Sequence, residues 1–134
     1  RISVLGTSYG GMVAQGYAIR YGKHVDKLIL NVTAPSFRFI DQAKKFIETH
    51  ATKEQIAMCD VLWKGKFKNS DHVIQFFRMT DSLYSIKARE NPKTTHRNET
   101  VYSHDALNEG FSNFLRTFDF IPQLKKIKSP TLIL

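Results

Sequence analysis

Apolar and polar positions along the chain fall into three stretches of different rhythm. Ile2-Ser3-Val4-Leu5 is a short apolar run ending at Gly6, the pattern of a buried strand. From Gly10 to Tyr21 the spacing turns helical. Gly10, Ala14 and Ala18 recur at i, i+4 and i+8 and predict a face of small residues that can approach a sheet closely. Val13, Tyr17 and Tyr21 repeat the spacing beside it, and Gly22 is placed to stop the helix. Leu28-Ile29-Leu30-Asn31-Val32, closed by Ala34-Pro35, is a second run of buried-strand type. Strand, helix and strand in such short succession predict a βαβ unit, and with it a parallel sheet and a right-handed crossover.

Beyond Ser36 the rhythm is helical throughout. Phe39, Ile40, Ala43, Phe46 and Ile47 share one helical face. Thr52 with Gln55 forms a capping box ahead of Ile56, Cys59, Leu62 and Trp63. Ser70 is positioned to cap a helix carrying Val73, Ile74, Phe77 and Met79, and Ser103 one carrying Ala106, Leu107, Gly110, Phe111 and Phe114. The polar, proline-containing residues 89–100 predict a loop. Phe120, Ile121, Leu124 and Ile127 then lead through Ser129-Pro130 into a third strand at Thr131-Leu132-Ile133-Leu134. The expected fold class is therefore α/β: a βαβ unit over 1–35, an all-helical insertion over 36–117, and a return to the sheet over 118–134. Repeats and low-complexity tracts are absent.

Composition adds exclusions. Of 134 residues, 42% are hydrophobic and 24% charged, which suits a soluble globular chain and rules out collagen-like or disordered classes. A single cysteine, Cys59, excludes an internal disulfide framework and a cysteine-based zinc cluster. The longest apolar run falls well short of the roughly 18 residues that span a bilayer, and no secretory signal is present. The formal net charge of +8 raises nucleic-acid binding. The basic residues, however, are scattered in twos and threes (Lys44-Lys45; Lys64, Lys66 and Lys68; Lys125, Lys126 and Lys128) without a nucleic-acid-binding signature, so solvated helix faces are the better reading. The chain opens on Arg1 without an initiator Met and stops inside the apolar run at Leu134. We therefore expect it to be the middle of a larger domain.

One motif carries chemistry. Gly6-Thr7-Ser8-Tyr9-Gly10 matches G-x-S-x-G, follows a predicted strand and opens a predicted helix, the context required of a nucleophile elbow. The turn is tight enough to strain the serine backbone, and side chains at both flanking glycines are expected to collide with neighbouring backbone. The serine hydroxyl would be lifted to the helix N-terminus, where the next backbone N–H can meet an oxyanion. The plain alternative is a glycine-rich turn with an incidental serine.

On these residues the chain resembles the α/β-hydrolase superfamily, and within it the proline iminopeptidase group. The likeness is carried by Val4-Leu5-Gly6-Thr7-Ser8-Tyr9-Gly10-Gly11-Met12, by His24-Val25-Asp26-Lys27-Leu28-Ile29-Leu30 and by Ile127-Lys128-Ser129-Pro130-Thr131-Leu132-Ile133-Leu134. It departs at Gly22, where the family often has proline. The resemblance implies a hydrolase core over 1–35 and 118–134 and a helical cap over 36–117. It makes Ser8 the acyl-forming nucleophile and Tyr9 an oxyanion-hole donor through its backbone N–H. In this fold the acid and the histidine follow the nucleophile in chain order, which places both beyond Leu134 and makes this chain alone inactive. His24, His50, His72, His96 and His104 all precede that point and are not read as the triad base. Recognition of a free N-terminal amine needs a carboxylate; in the family it comes partly from an Asn-Glu pair late in the cap. Asn108-Glu109 resembles that pair, at a spacing from the next strand that is off by about one residue, with Phe111 nearby as a wall for a proline ring. The plainer reading of Glu109 is a solvated glutamate on an amphipathic helix.

Cys59 and the methionines read as core packing, and the sequons Asn31-Val32-Thr33 and Asn98-Glu99-Thr100 as incidental. No metal, nucleotide or other cofactor motif is present. The leading function is release of N-terminal residues from small peptides through an acyl-enzyme. A carboxylesterase or carbon–carbon bond hydrolase is the runner-up, and a non-catalytic, partner-binding hydrolase scaffold is the alternative of another class. Dehalogenases and epoxide hydrolases of this fold are disfavoured, because they use Asp where this chain has Ser8. A small peptide or ester is the expected partner, with neither nucleic acid nor membrane; cytoplasm is the default location, and the sequence sets no oligomeric state.

Overall fold

A computed structural model of the chain describes residues 1–86, 90 and 100–134. It is an α/β structure that divides into two compact units, one of residues 1–39 and 117–134, the other of residues 40–116. Among the described residues, no helix is long and apolar enough to cross a membrane.

The first unit is built on three parallel strands in the order β1 (Ile2–Thr7), β2 (Val25–Asn31), β3 (Thr131–Ile133). The register aligns Val4 with Leu28 and Thr131, and Leu5 with Ile29 and Leu132. Helix α1 (Tyr9–Tyr21) connects β1 to β2, completing the expected βαβ unit. Its Ala14 and Ala18 bury with Val25, Leu28 and Leu30, flanked by Val4, Tyr17 and Ile127. Leu5 and Leu132 remain 66% and 52% exposed, so part of the sheet surface is apolar and uncovered within this unit.

Two details of α1 correct the sequence reading. The small face runs through Gly11, Ala14 and Ala18, not Gly10: Gly11 is buried and Gly10 is exposed. A Cβ on Gly11 would lie 2.5 Å from the Cβ of Thr33, whereas one on Gly10 would meet nothing within 4 Å. The steric demand expected at both motif glycines therefore falls on Gly6, whose Cβ would come within 2.6 Å of the Gly11 Cα, and on Gly11 outside the motif. Gly22 does follow the last residue of α1 as its C-cap, as expected, but in a right-handed conformation (φ −53°) and not as a left-handed cap. The chain instead tightens into a 3-10 turn over Gly22–His24, and the Val25 N–H donates to the Gly22 carbonyl.

The strands leave and re-enter the sheet unit through a narrow neck. Ser36 bridges Asp119 in antiparallel fashion, Phe37 N–H donates to Phe118 O at 2.9 Å, and Phe120 N–H donates to Pro35 O at 2.9 Å. Residues 36–39 thus pack with the sheet unit.

The second unit holds α2 (Phe39–His50, from Ile40 onward), α3 (Lys53–Lys64), α4 (Ser70–Tyr84) and α5 (His104–Glu109), which runs into a π-helical turn over Gly110–Phe114. Its core is Met58, Cys59, Leu62, Phe67, Val73 and Phe76. Both halves of the predicted capping box form: Gln55 N–H donates to Thr52 Oγ1 at 3.3 Å, and Thr52 N–H to Gln55 Oε1 at 3.0 Å. Helix α3 ends on left-handed Gly65 (φ 61°), where a Cβ would also strike Asn108 O. The cap of α4 is Asn69 and not Ser70. Asn69 is extended and its Oδ1 accepts from His72 N–H at 2.9 Å, while Ser70 donates its hydroxyl to Tyr102 O at 2.7 Å. The buried side of α4 is Val73, Phe76 and Thr80, with Ile74 and Phe77 half-buried. Ser103 caps α5 as expected, accepting from Ala106 N–H. The predicted loop over 89–100 and its His96 lie outside the described residues, Glu90 and Thr100 excepted.

Two predictions test this packing. Gly6→Ala overpacks rigid backbone and is expected to cost about 1–3 kcal/mol. Gly10→Ala has room and is neutral or gains up to about 1 kcal/mol from helix propensity; urea unfolding of the two variants checks this difference. Burial, with a smaller contribution from Asp60, pushes the Cys59 thiol above its ordinary 9.0. The folded chain thus holds that proton more tightly than the unfolded one, and the stabilisation is full below 9.0 and declines as pH rises past it. The stability gap between wild type and Cys59→Ala, read by urea unfolding monitored at Trp63, should narrow between pH 7 and pH 10.

Candidate active site

Ser8 follows the carboxyl end of β1 and immediately precedes α1. Its backbone lies at φ 53°, ψ −123°, a region that costs a non-glycine residue about 1–3 kcal/mol and persists only where the surroundings impose it. The surroundings are explicit. Ser8 N–H donates to Asn31 O at 3.0 Å, and Ser8 O accepts from Gly11 N–H at 2.9 Å, Met12 N–H at 3.3 Å and Thr33 Oγ1 at 2.7 Å. The residue is exposed. Tyr9, the first residue of α1, places its backbone N–H in the opening turn of a helix whose first turn contains no acidic side chain. The positive end of the helix dipole is therefore not offset there, which favours negative charge developing beside Ser8.

Three residues of this site were not singled out for it from the sequence. Thr33 was noted only within a sequon; its hydroxyl is committed to Ser8 O. Val32, between Asn31 and Thr33, is left-handed at φ 40°, an outlier for a β-branched side chain. Gln15 is buried, and its Nε2 donates to Gly11 O at 3.2 Å and Ala34 O at 3.1 Å, tying α1 to the segment after β2. Extending the strand alignment by one residue sets Val32 opposite Ser8, which is the signal that could have found this segment.

Four of the five histidines are among the described residues, and only His24 belongs to the sheet unit. His24 precedes β2, at the end of the sheet opposite Ser8, about 20 Å away at strand rise. In the helical unit, His50 stacks on Phe46 at 4.2 Å, His72 Nδ1 accepts from Lys68 N–H, and His104 Nε2 lies 3.3 Å from Asp105 Oδ1. No group of three or more His, Cys, Asp or Glu able to hold a metal occurs among the described residues.

Ser8 and Tyr9 belong to the sheet unit, and Glu109 and Phe111 to the helical unit. Asn108 is a structural clasp. Its Oδ1 accepts from Phe67 N–H at 2.8 Å and its Nδ2 donates to Phe67 O at 2.9 Å. Glu109 is exposed, its carboxylate accepting from Asn113 Nδ2 at 2.7 Å. Phe111 is half-buried and meets Trp63 edge-on at 5.7 Å, while Arg116 donates to the carbonyls of both residues.

No family model matches the chain. Two curated proteins do. The proline iminopeptidase PfmaB of Pestalotiopsis fici is 32% identical over 137 aligned residues, which take in 99% of this chain and 48% of the relative. A proline iminopeptidase of Saccharolobus solfataricus is 27% identical over 145, taking in 99% of this chain and 46% of the relative. The chain thus spans about half the length of the curated relatives it matches. With its parallel strand–turn–helix–strand unit, it is an α/β chain that resembles the proline iminopeptidases over nearly all of its residues.

Proposed function

We propose that this chain carries the nucleophile of a serine hydrolase, and that the intact protein releases N-terminal residues from small peptides. The backbone of Ser8 is the observation that carries this reading: an exposed serine in a strained conformation between a parallel strand and a helix N-terminus. The names of the two relatives support the peptidase class. Residues 1–39 with 117–134 are assigned to the hydrolase core and 40–116 to a helical cap.

In this mechanism Ser8 Oγ attacks the carbonyl carbon of the scissile amide while its proton passes to a general base. The carbonyl oxygen becomes an oxyanion that accepts from the Tyr9 N–H. Collapse breaks the C–N bond, and the amine leaves with the transferred proton. Water then adds to the acyl-enzyme and releases the acid, restoring the Ser8 hydroxyl. The sheet unit's histidine, His24, is at the wrong end of β2 and is not assigned as the base. In this superfamily the base and its acid partner follow the nucleophile in the chain. Glu109, exposed and steadied by Asn113, is assigned to the free amine of the substrate, with Phe111 beside it. A charge-assisted contact of that kind contributes about 1.5–3 kcal/mol.

In the intact protein, Ser8→Ala should lower hydrolysis of proline naphthylamide by about four orders of magnitude or more and abolish fluorophosphonate labelling. Labelling that survives the substitution removes Ser8 as nucleophile. Glu109→Gln should raise KM for proline naphthylamide about tenfold or more and leave hydrolysis of an uncharged acyl ester unchanged. Cleavage of esters alone by the wild type would set aside the peptidase reading.

A further inference from the structure

Resting on the assignment of Ser8 as nucleophile, we infer that Thr33 is a positioning residue for the reaction, holding the Ser8 backbone through its side-chain hydroxyl. Both polar groups of the Ser8 backbone are bound by one three-residue segment. Asn31 O takes the N–H at 3.0 Å, and Thr33 Oγ1 donates to the carbonyl at 2.7 Å. In a regular parallel ladder the two residues flanking the opposite one bind a residue's N–H and C=O through their backbone carbonyl and amide; here Asn31 O keeps the first of these bonds, and the second is made by the Thr33 side-chain hydroxyl. The left-handed turn at Val32 (φ 40°) bends the segment around Ser8. That conformation is unfavourable for an L-residue, and more so for a β-branched one. Val32 is 67% exposed, so little burial of its own side chain offsets the cost. Its structural return is the Asn31–Thr33 clasp.

Thr33 is also held from its other side. Its side chain is seated so closely on Gly11 that a Cβ there would come within 2.5–2.7 Å of three of its atoms. Gln15 ties the next residue, Ala34, back to α1. The hydroxyl therefore points from a fixed base at a carbonyl that already accepts from two helix amides. The Ser8 carbonyl anchors one side of the peptide frame from which Oγ projects. Loosening it is expected to misdirect the nucleophile without disturbing substrate binding, since a displacement of about 1 Å in a reacting group is costly in rate.

The test uses the intact protein and an alkyl fluorophosphonate, which forms an O–P bond to Ser8 as the P–F bond breaks and fluoride leaves. Thr33→Val keeps the shape and removes the hydroxyl; Thr33→Ser keeps the hydroxyl. Thr33→Val should slow the maximal labelling rate and kcat on proline naphthylamide about tenfold with KM unchanged, and Thr33→Ser should restore both to within about twofold. Should Thr33→Val not fold, Thr33→Ala, which relieves the contact with Gly11, is read against Thr33→Ser in the same way. Wild-type rates in the hydroxyl-less variant, equal losses in the two variants, or a loss residing in KM would each overturn the inference while the nucleophile assignment stands. Labelling that persists in Ser8→Ala overturns both.

Discussion

The backbone of Ser8 is tied from two directions, and the geometry of the sheet unit follows from that tie. Its N–H continues the parallel ladder onto Asn31, and its carbonyl opens the hydrogen bonding of α1 through Gly11 and Met12. One residue is at once the extension of a strand and the start of a helix. No unstrained conformation of an L-residue does both across so short a turn, so φ is forced positive. The requirement for space then passes to the neighbours. Gly6 and Gly11 lack side chains where the turn folds back on itself, and Ala14 and Ala18 continue the close contact along the sheet.

The helical unit is organised on a different principle. Aromatic and aliphatic side chains from α3, α4 and the segment between them fill its core, and its polar connections are clasps between side chain and backbone. Asn108 pairs with both polar groups of Phe67, and Gln55 reaches from its own cap to Met79 O and Ser82 Oγ. The Asn108 bonds satisfy loop backbone that has no ladder partner, and the Gln55 bonds tie the start of α3 to α4. The surface ion pairs, such as Lys64 with Asp60 at 3.2 Å, are exposed and contribute little.

Much of this was legible from residue spacing. The apolar runs at Ile2–Leu5 and Leu28–Val32 and the small residues between them specify the βαβ unit, because a parallel pair needs a crossover and the crossover needs a close-packing face. The Thr52 and Ser103 caps follow from local side-chain chemistry alone. What escaped was set by tertiary contact. The crowding at Gly11 depends on Thr33, some twenty residues on, and the cap at Asn69 was passed over because Ser70 also carries a capping side chain. The π-helical turn after Glu109 is invisible to a periodicity of 3.6, since it slips the helix by one residue without altering its composition. Of the candidate site, Ser8 and its elbow were readable because the motif is local. Its support by residues 31–33 was not, because it arises from strand pairing.

The neck formed by Pro35–Phe37 and Phe118–Phe120 has an evolutionary consequence. Its two strands are bonded directly to one another, so the sheet unit closes without reference to what is threaded between them. The entropy of closing an inserted loop grows only logarithmically with its length. Helices between Phe37 and Phe118 can therefore be lengthened, shortened or exchanged by recombination at small thermodynamic cost to the sheet unit. A lineage built this way can change its helical unit while the strand-to-helix turn at Ser8 stays as it is.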